Sequence, residues 1–299
     1  DDLKHDKNKS ILFDCGEGTY FQLCRRFGIK TALQIVKQEL ELIWISHMHA
    51  DHHLGLLKVL VTRKLSEAGK VCIVAPKAML LFLQEYEAID PRIRNTYDFA
   101  PCMKDSSSST SGCLTQPPKV FDVGVIGNHA YNEVIKVVKR KTGLRLLSSI
   151  PVQHCFDAYG LVLELNSGFK IVYSGDTEPC DTLVKAGMNA DVLIHEATLD
   201  DEKVTEAREK KHSTVSEAVK VGRDMFARTI ILSHFSQRYP KIPIINKLPI
   251  PESPHSDFVA NKNVDNVIVA FDLMSLKLNQ IKWCPRLLPI LQRIFNECK

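Results

Sequence analysis

The chain has 299 residues, 44% hydrophobic and 25% charged, and its 39 Lys plus Arg against 35 Asp plus Glu leave a formal net charge of +4. That composition is globular and excludes wholesale disorder, and no apolar run approaches the roughly 18 residues of a membrane-spanning helix. The charge is too small for a polycation, so any nucleic-acid site has to come from local arrangement. The length suits one large domain or two small ones.

Residues 1–8 are a polar lead-in without a signal peptide or an initiator Met, which reads as the boundary of a fragment. A strand is predicted over 10–14, stopping at Cys15-Gly-Glu-Gly18, with a helix over 19–27. Residues 40–46 are continuously apolar and predict a central strand. This strand runs into His47-Met-His-Ala-Asp-His-His53, after which 54–68 has helical spacing. A strand at 71–75 and a helix opened by Pro76 continue the β/α alternation of a layered α/β fold. Residues 104–118 are Ser-rich and of low complexity, and predict a disordered surface insertion.

Strand-like runs then follow at 120–126, 134–139, 144–152, 161–165, 170–174, 192–194, 230–233 and 267–270, with helices near 181–186 and 214–226. The tail, 282–299, mixes Leu, Ile and Phe with Lys and Arg, as a docked amphipathic segment would. The nine cysteines contain no C-x-x-C pair and predict ordinary thiols rather than a cysteine metal site.

The strongest chemical signal is His47-x-His49-x-Asp51-His52, three imidazoles and a carboxylate directly after a buried strand. These are the donor types zinc takes in sites that keep a position open for water. One such run cannot fill two sites, so further ligands have to come from later strand ends. His154, Asp176 in Ser-Gly-Asp-Thr, and His234 each stand just past an apolar run. His53 fits a helix start or a supporting position. Arg238, near His234, is a candidate phosphate contact, since a guanidinium pairs two phosphate oxygens; Lys211 is similar.

The order of these motifs resembles the metallo-β-lactamase fold, which implies a four-layer αββα sandwich with two zinc ions. More narrowly, the chain resembles tRNase Z, through FDCGEGT (13–19), SHMHADHH (46–53), HCFDAYG (154–160) and YSGDT (173–177). HEAT (195–198), KHST (211–214) and SHFSQRY (233–239) extend the match over nearly the whole chain, which is most similar to the C-terminal half of the long form. The resemblance implies that His47, His49 and His154 hold one zinc, that Asp51, His52 and His234 hold the other, and that Asp176 bridges them. It further implies a metal-bridged water or hydroxide attacking the phosphodiester 3′ of the discriminator nucleotide of precursor tRNA, with Asp51 orienting that water or taking its proton. His212, supported by Glu196, would protonate the departing oxygen. Asp14, Glu17, Gly16 and Gly18 would buttress the metal-site loop.

On this reading residues 1–299 form a catalytic domain lacking its first strand. Its partners would be precursor tRNA and a missing N-terminal half, or a second copy of the chain if that half is absent. No membrane is implied, and the nucleus or mitochondrion is the expected compartment. A hydrolase of the same fold acting on a small thioester or lactam is the alternative, and a binding-only module with a degenerate site is a third possibility.

Overall fold

The computed structural model of the protein describes residues 8–102, 128–236 and 266–287. The chain divides into two compact units, Asp1–Pro151 with Cys155–Phe169 and Val152–His154 with Lys170–Lys299. The predicted strand at 120–126, the Ser-rich insertion and most of the tail lie outside the described residues.

In the first unit, β1 (Ser10–Phe13), β2 (Leu40–Trp44), β3 (Val71–Ala75) and β4 (Tyr97–Pro101) lie side by side in that order, all parallel. Parallel neighbours need crossovers, and helices supply them. Between β1 and β2 run α1 (Thr19–Phe27) and α2 (Ile29–Gln34), the latter continued by a π-helical turn. Between β2 and β3 run α3 (Ala50–His53) and α4 (Gly55–Leu65), and α5 (Lys77–Ile89) joins β3 to β4.

Ile43, Ile45 and Ile73 of the sheet bury themselves in one cluster with Leu56, Leu60, Met79 and Leu83 of the helices. Each such side chain contributes about 1.5–3 kcal/mol on burial. Leu42 and Trp44 alternate with these and are buried too, which is why the run lacks a polar face. Trp44 donates its indole N–H to Ser149 Oγ at 3.0 Å. Ser149 belongs to β5 (Leu144–Pro151), paired antiparallel with β6 (Tyr159–Leu165).

One predicted strand is a helix. Residues 134–139 lie within α6 (Asn128–Thr142). Val134, Ile135, Val137 and Val138 are β-branched and suggest a strand by residue type. Their spacing is nevertheless that of a helix face, with Ile135 and Val138 buried and Val137 exposed. α2, β4 and a helix at Val204–Lys210 are not among the elements the sequence predicts.

In the second unit, β7 (Lys170–Tyr173), β8 (Val192–Glu196), β9 (Ile230–Ser233) and β10 (Val267–Val269) form a parallel array in that order. Its helices are α7 (Asp181–Ala186), α8 (Val204–Lys210) and α9 (Val215–Asp224). α9 starts from a capping box: the Thr214 hydroxyl accepts from the Glu217 N–H, and the Glu217 carboxylate accepts from the Thr214 N–H. This cap fixes the turn immediately after His212 and Ser213. Ser213 donates in turn to the Thr177 carbonyl at 2.7 Å, tying that turn to the loop after β7.

Three of the cysteines are buried in the first unit. Burial pushes Cys15 up to about 12 and raises Cys72 and Cys102 as well, so all three stay protonated at neutral pH.

Candidate metal centre

In the first unit the donors lie at the C-terminal ends of β1 and β2. Asp14 leaves β1 with φ 56°, a left-handed conformation that Asp tolerates. Its N–H donates to the Trp44 carbonyl at 2.8 Å, tying the two strand ends together. Its carboxylate accepts from the Ser46 N–H at 2.7 Å and from the Ser46 hydroxyl at 2.9 Å, and faces His52 Nδ1 at 2.8 Å.

A carboxylate only accepts, so His52 carries its proton on Nδ1 and keeps the Nε2 lone pair. The Ser46 proton points to Asp14, so Ser46 Oγ accepts from His47 Nδ1 at 2.9 Å. That leaves the Nε2 lone pair of His47, which stands 2.9 Å from His49 Nδ1. Two imidazole nitrogens so close either share one proton or bind one cation. Asp51 Oδ2 lies 3.6 Å from His52 Nε2.

Two glycines let this loop close. A Cβ on Gly16 would stand 2.2 Å from the Asp51 carbonyl oxygen, and one on Gly55 would stand 1.9 Å from that of Gly16. The backbone of the Cys15–Gly18 turn therefore lies directly against the backbone that carries Asp51. Glu17 and Gly18 are exposed, so the expected buttressing falls to Asp14 and Gly16. His53 turns to Phe82, edge-on at 5.2 Å between ring centres, and burial lowers its pKa.

In the second unit His154 donates from Nδ1 to the Lys211 carbonyl at 2.8 Å, which again leaves the lone pair on Nε2. Lys211 is the left-handed C-cap of α8, and its side chain is exposed. Its structural use here is the backbone carbonyl.

Asp176 follows the tight turn at Gly175 and is buried. Its two oxygens face different imidazoles, with Oδ2 3.9 Å from His154 Nε2 and Oδ1 3.5 Å from His234 Nε2. These separations are long for hydrogen bonds. They are close to the roughly 3.4 Å between two ligands of a tetrahedral zinc with bonds of about 2.0–2.1 Å. The donor types and this spacing fit a metal-binding role.

Glu196, at the end of β8, is buried and fully bonded. Oε1 accepts from the Thr177 N–H at 2.8 Å and from His212 Nδ1 at 2.8 Å. Oε2 accepts from the Thr198 N–H at 3.1 Å and the Thr198 hydroxyl at 2.6 Å. His212 therefore presents its Nε2 away from Glu196. The ligand atoms of His154, Asp176 and His212 lie within 4.8 Å of one another, as do those of Glu196, His212 and His234.

The first unit thus gathers His47, His49, Asp51 and His52, and the second gathers His154, Asp176, Glu196, His212 and His234. Arg238 lies outside the described residues. Sequence reasoning missed Ser46, Thr198 and the Lys211 carbonyl. The first two were visible as a Ser directly before H-x-H and as the last letter of H-E-A-T, but nothing marks a carbonyl in a sequence.

The sequence model of the anti-Pycsar protein Apyc1 family matches residues 3–247. The mitochondrial tRNase Z TRZ4 of Arabidopsis thaliana is 35% identical over 96% of this chain and 33% of its own length. Zinc phosphodiesterase ELAC protein 2 of Mus musculus is 38% identical over 96% of this chain and 32% of its own.

The crystal structure of a long-form RNase Z from yeast superposes with a TM-score of 0.76 at 28% identity, covering 96% of this chain and 39% of that one. A metallo-β-lactamase-fold protein of Bacillus subtilis, at 15% identity, TM-score 0.54 and coverage of 82% and 80%, shares the fold alone. The chain has that fold, an α/β arrangement of two sheets flanked by helices. It spans about a third of the length of the relatives it matches.

Proposed function

We propose, since this chain belongs to the family of the anti-Pycsar protein Apyc1 and is homologous to the long-form tRNase Z enzymes over 96% of its length, that it is a zinc-dependent endoribonuclease removing 3′ trailers from precursor tRNA. His47, His49 and His154 would hold one zinc, and Asp51, His52 and His234 a second, with Asp176 serving both. Bound zinc would supply Lewis-acid polarisation of the phosphate and an activated water at neutral pH.

The observation that carries the reading is the Glu196–His212 pair, bonded at 2.8 Å. His212 Nε2 is free to give a proton to the departing ribose 3′ oxygen while Glu196 holds Nδ1 and stabilises the charged ring. An alkoxide leaving group needs such an acid, whereas a thiolate leaving from a thioester does not. Asp51, whose side chain is 70% exposed, can orient water or take its proton. The cut falls 3′ of the discriminator nucleotide and leaves a 3′ hydroxyl on the tRNA. Lys211, exposed beside His212, and Arg238 are read as phosphate contacts.

The remainder of a long-form enzyme, or a second copy of the chain, would complete the grip on tRNA. The mitochondrion or nucleus is the proposed compartment. Among the described residues no helix is long and apolar enough to cross a membrane.

The test is to assay the zinc-loaded chain on a precursor tRNA and, in parallel, on a small thioester. Trailer release without thioester turnover is expected. Thioester turnover with intact RNA would overturn the reading in favour of a small-molecule hydrolase.

A further inference from the structure

We infer that Thr198 is a positioning residue whose single hydroxyl fixes the metal ligand His234 and joins it to the Glu196–His212 pair. The inference rests on the metal-binding reading above, but it concerns a residue to which that reading gives no role.

Three groups surround Thr198 Oγ1. Glu196 Oε2 lies at 2.6 Å, His234 Nδ1 at 2.8 Å and His212 Nδ1 at 3.4 Å. A hydroxyl has one proton and two lone pairs. Each Glu196 oxygen already receives a backbone N–H, from Thr177 or from Thr198 itself, so this carboxylate acts as an acceptor and draws the hydroxyl proton at the shortest of the three contacts. Thr198 Oγ1 is then an acceptor toward His234. That puts the His234 proton on Nδ1 and the lone pair on Nε2, which is the nitrogen 3.5 Å from Asp176 Oδ1.

His234 needs such a hold more than its counterparts do. It sits past β9 with φ 59°, a left-handed conformation uncommon for residues other than Gly, and its side chain is 32% exposed. His154, by contrast, is 4% exposed at its side chain and anchored on a carbonyl. Backbone bonds put Thr198 in place: the Ser236 N–H donates to the Thr198 carbonyl at 3.1 Å, and the Ala197 N–H to that of Ser233 at 2.9 Å. The loop that carries His234 is thus tied on both sides to the segment that carries Thr198. The result is a chain His234–Thr198–Glu196–His212, in which one carboxylate orders both the ligand and the proton donor.

The experiment compares the full chain with Thr198→Val, which keeps the shape and removes the hydroxyl, and Thr198→Ser, which restores it. Zinc affinity is measured by chelator competition, and the His234 tautomer by 15N chemical shifts of histidine-labelled protein. Circular dichroism checks that each variant folds. Thr198→Val is expected to lose about 10–100-fold in affinity for the weaker of two zincs and to lose the Nδ1–H signature of His234. Thr198→Ser is expected to recover both.

A Thr198→Val chain that binds both zincs as tightly as the parent overturns the inference alone, as does Thr198→Ser failing where Thr198→Val fails. A parent chain that takes up no zinc overturns the metal-binding reading with it.

Discussion

Asp14 Oδ2 lies 2.8 Å from His52 Nδ1, joining the end of the first strand to the metal motif across 38 positions of sequence. The same carboxylate receives the N–H and the hydroxyl of Ser46, so one side chain sets the ring of His52 and, through Ser46, the tautomer of His47. Asp14→Ala would orphan the Ser46 N–H, at about 1–3 kcal/mol of stability, and would lower zinc affinity about 10–100-fold. Thermal unfolding and zinc titration check the two effects separately. Zinc binding unchanged in Asp14→Ala would show that the carboxylate does not organise the site.

Gly16 and Gly55 are required by contact rather than by turn geometry. An added methyl at either meets a carbonyl oxygen of the facing backbone, at 2.2 Å and 1.9 Å respectively, and backbone cannot rotate away as a side chain can. Gly55→Ala is expected to cost about 1–3 kcal/mol through forced displacement and to cut activity with it. Gly69→Ala, where nothing lies within 4 Å of the added methyl, serves as the control and should be near neutral.

His212→Ala separates chemistry from metal binding. If His212 donates a proton to the leaving oxygen, its loss should lower kcat by about 10²- to 10⁴-fold while two zincs remain bound. Glu196→Gln should follow in the same direction, because the Nδ1 partner of His212 would lose its charge. Loss of a zinc from His212→Ala, read by metal analysis, would place this residue among the ligands instead.

His195 provides a pH signature. It is fully buried in β8, donates from Nδ1 to the Glu196 carbonyl at 2.7 Å, and burial lowers its pKa below the ordinary value. The folded chain therefore resists a proton that the unfolded chain takes up near pH 6.5. The stabilising contribution is full above about pH 6.5 and is lost as pH falls from there toward the folded pKa, at roughly 1 kcal/mol per pH unit. Calorimetry at pH 7.5 and 5.5 should show a smaller drop in Tm for His195→Gln than for the parent. The other histidines affect both proteins alike, so an equal drop in the two would show that His195 does not set this pH dependence.

Much of this centre was legible in the sequence because its donors follow strands. A strand is a short apolar run with a clear end, so His47, His49, Asp51, Asp176 and His234 stood out as polar groups just past such runs. Within the helix at 128–142 the β-branched residues of 134–139 suggest a strand and obscure a helical spacing. The Lys211 carbonyl was invisible because main-chain groups carry no letter. Thr198 and Ser46 carry letters, but a hydroxyl becomes specific only once its neighbours are fixed in space.

The proposed function is tested most directly by cleavage of a precursor tRNA with both product ends mapped, by the chain as purified, after chelation, and after zinc is restored. The expected result is a single cut 3′ of the discriminator nucleotide, a 3′ hydroxyl on the tRNA and a 5′ phosphate on the trailer, activity abolished by the chelator, and recovery with zinc. Cleavage at the same rate in the chelated sample, or a product ending in a 3′ phosphate, would contradict it.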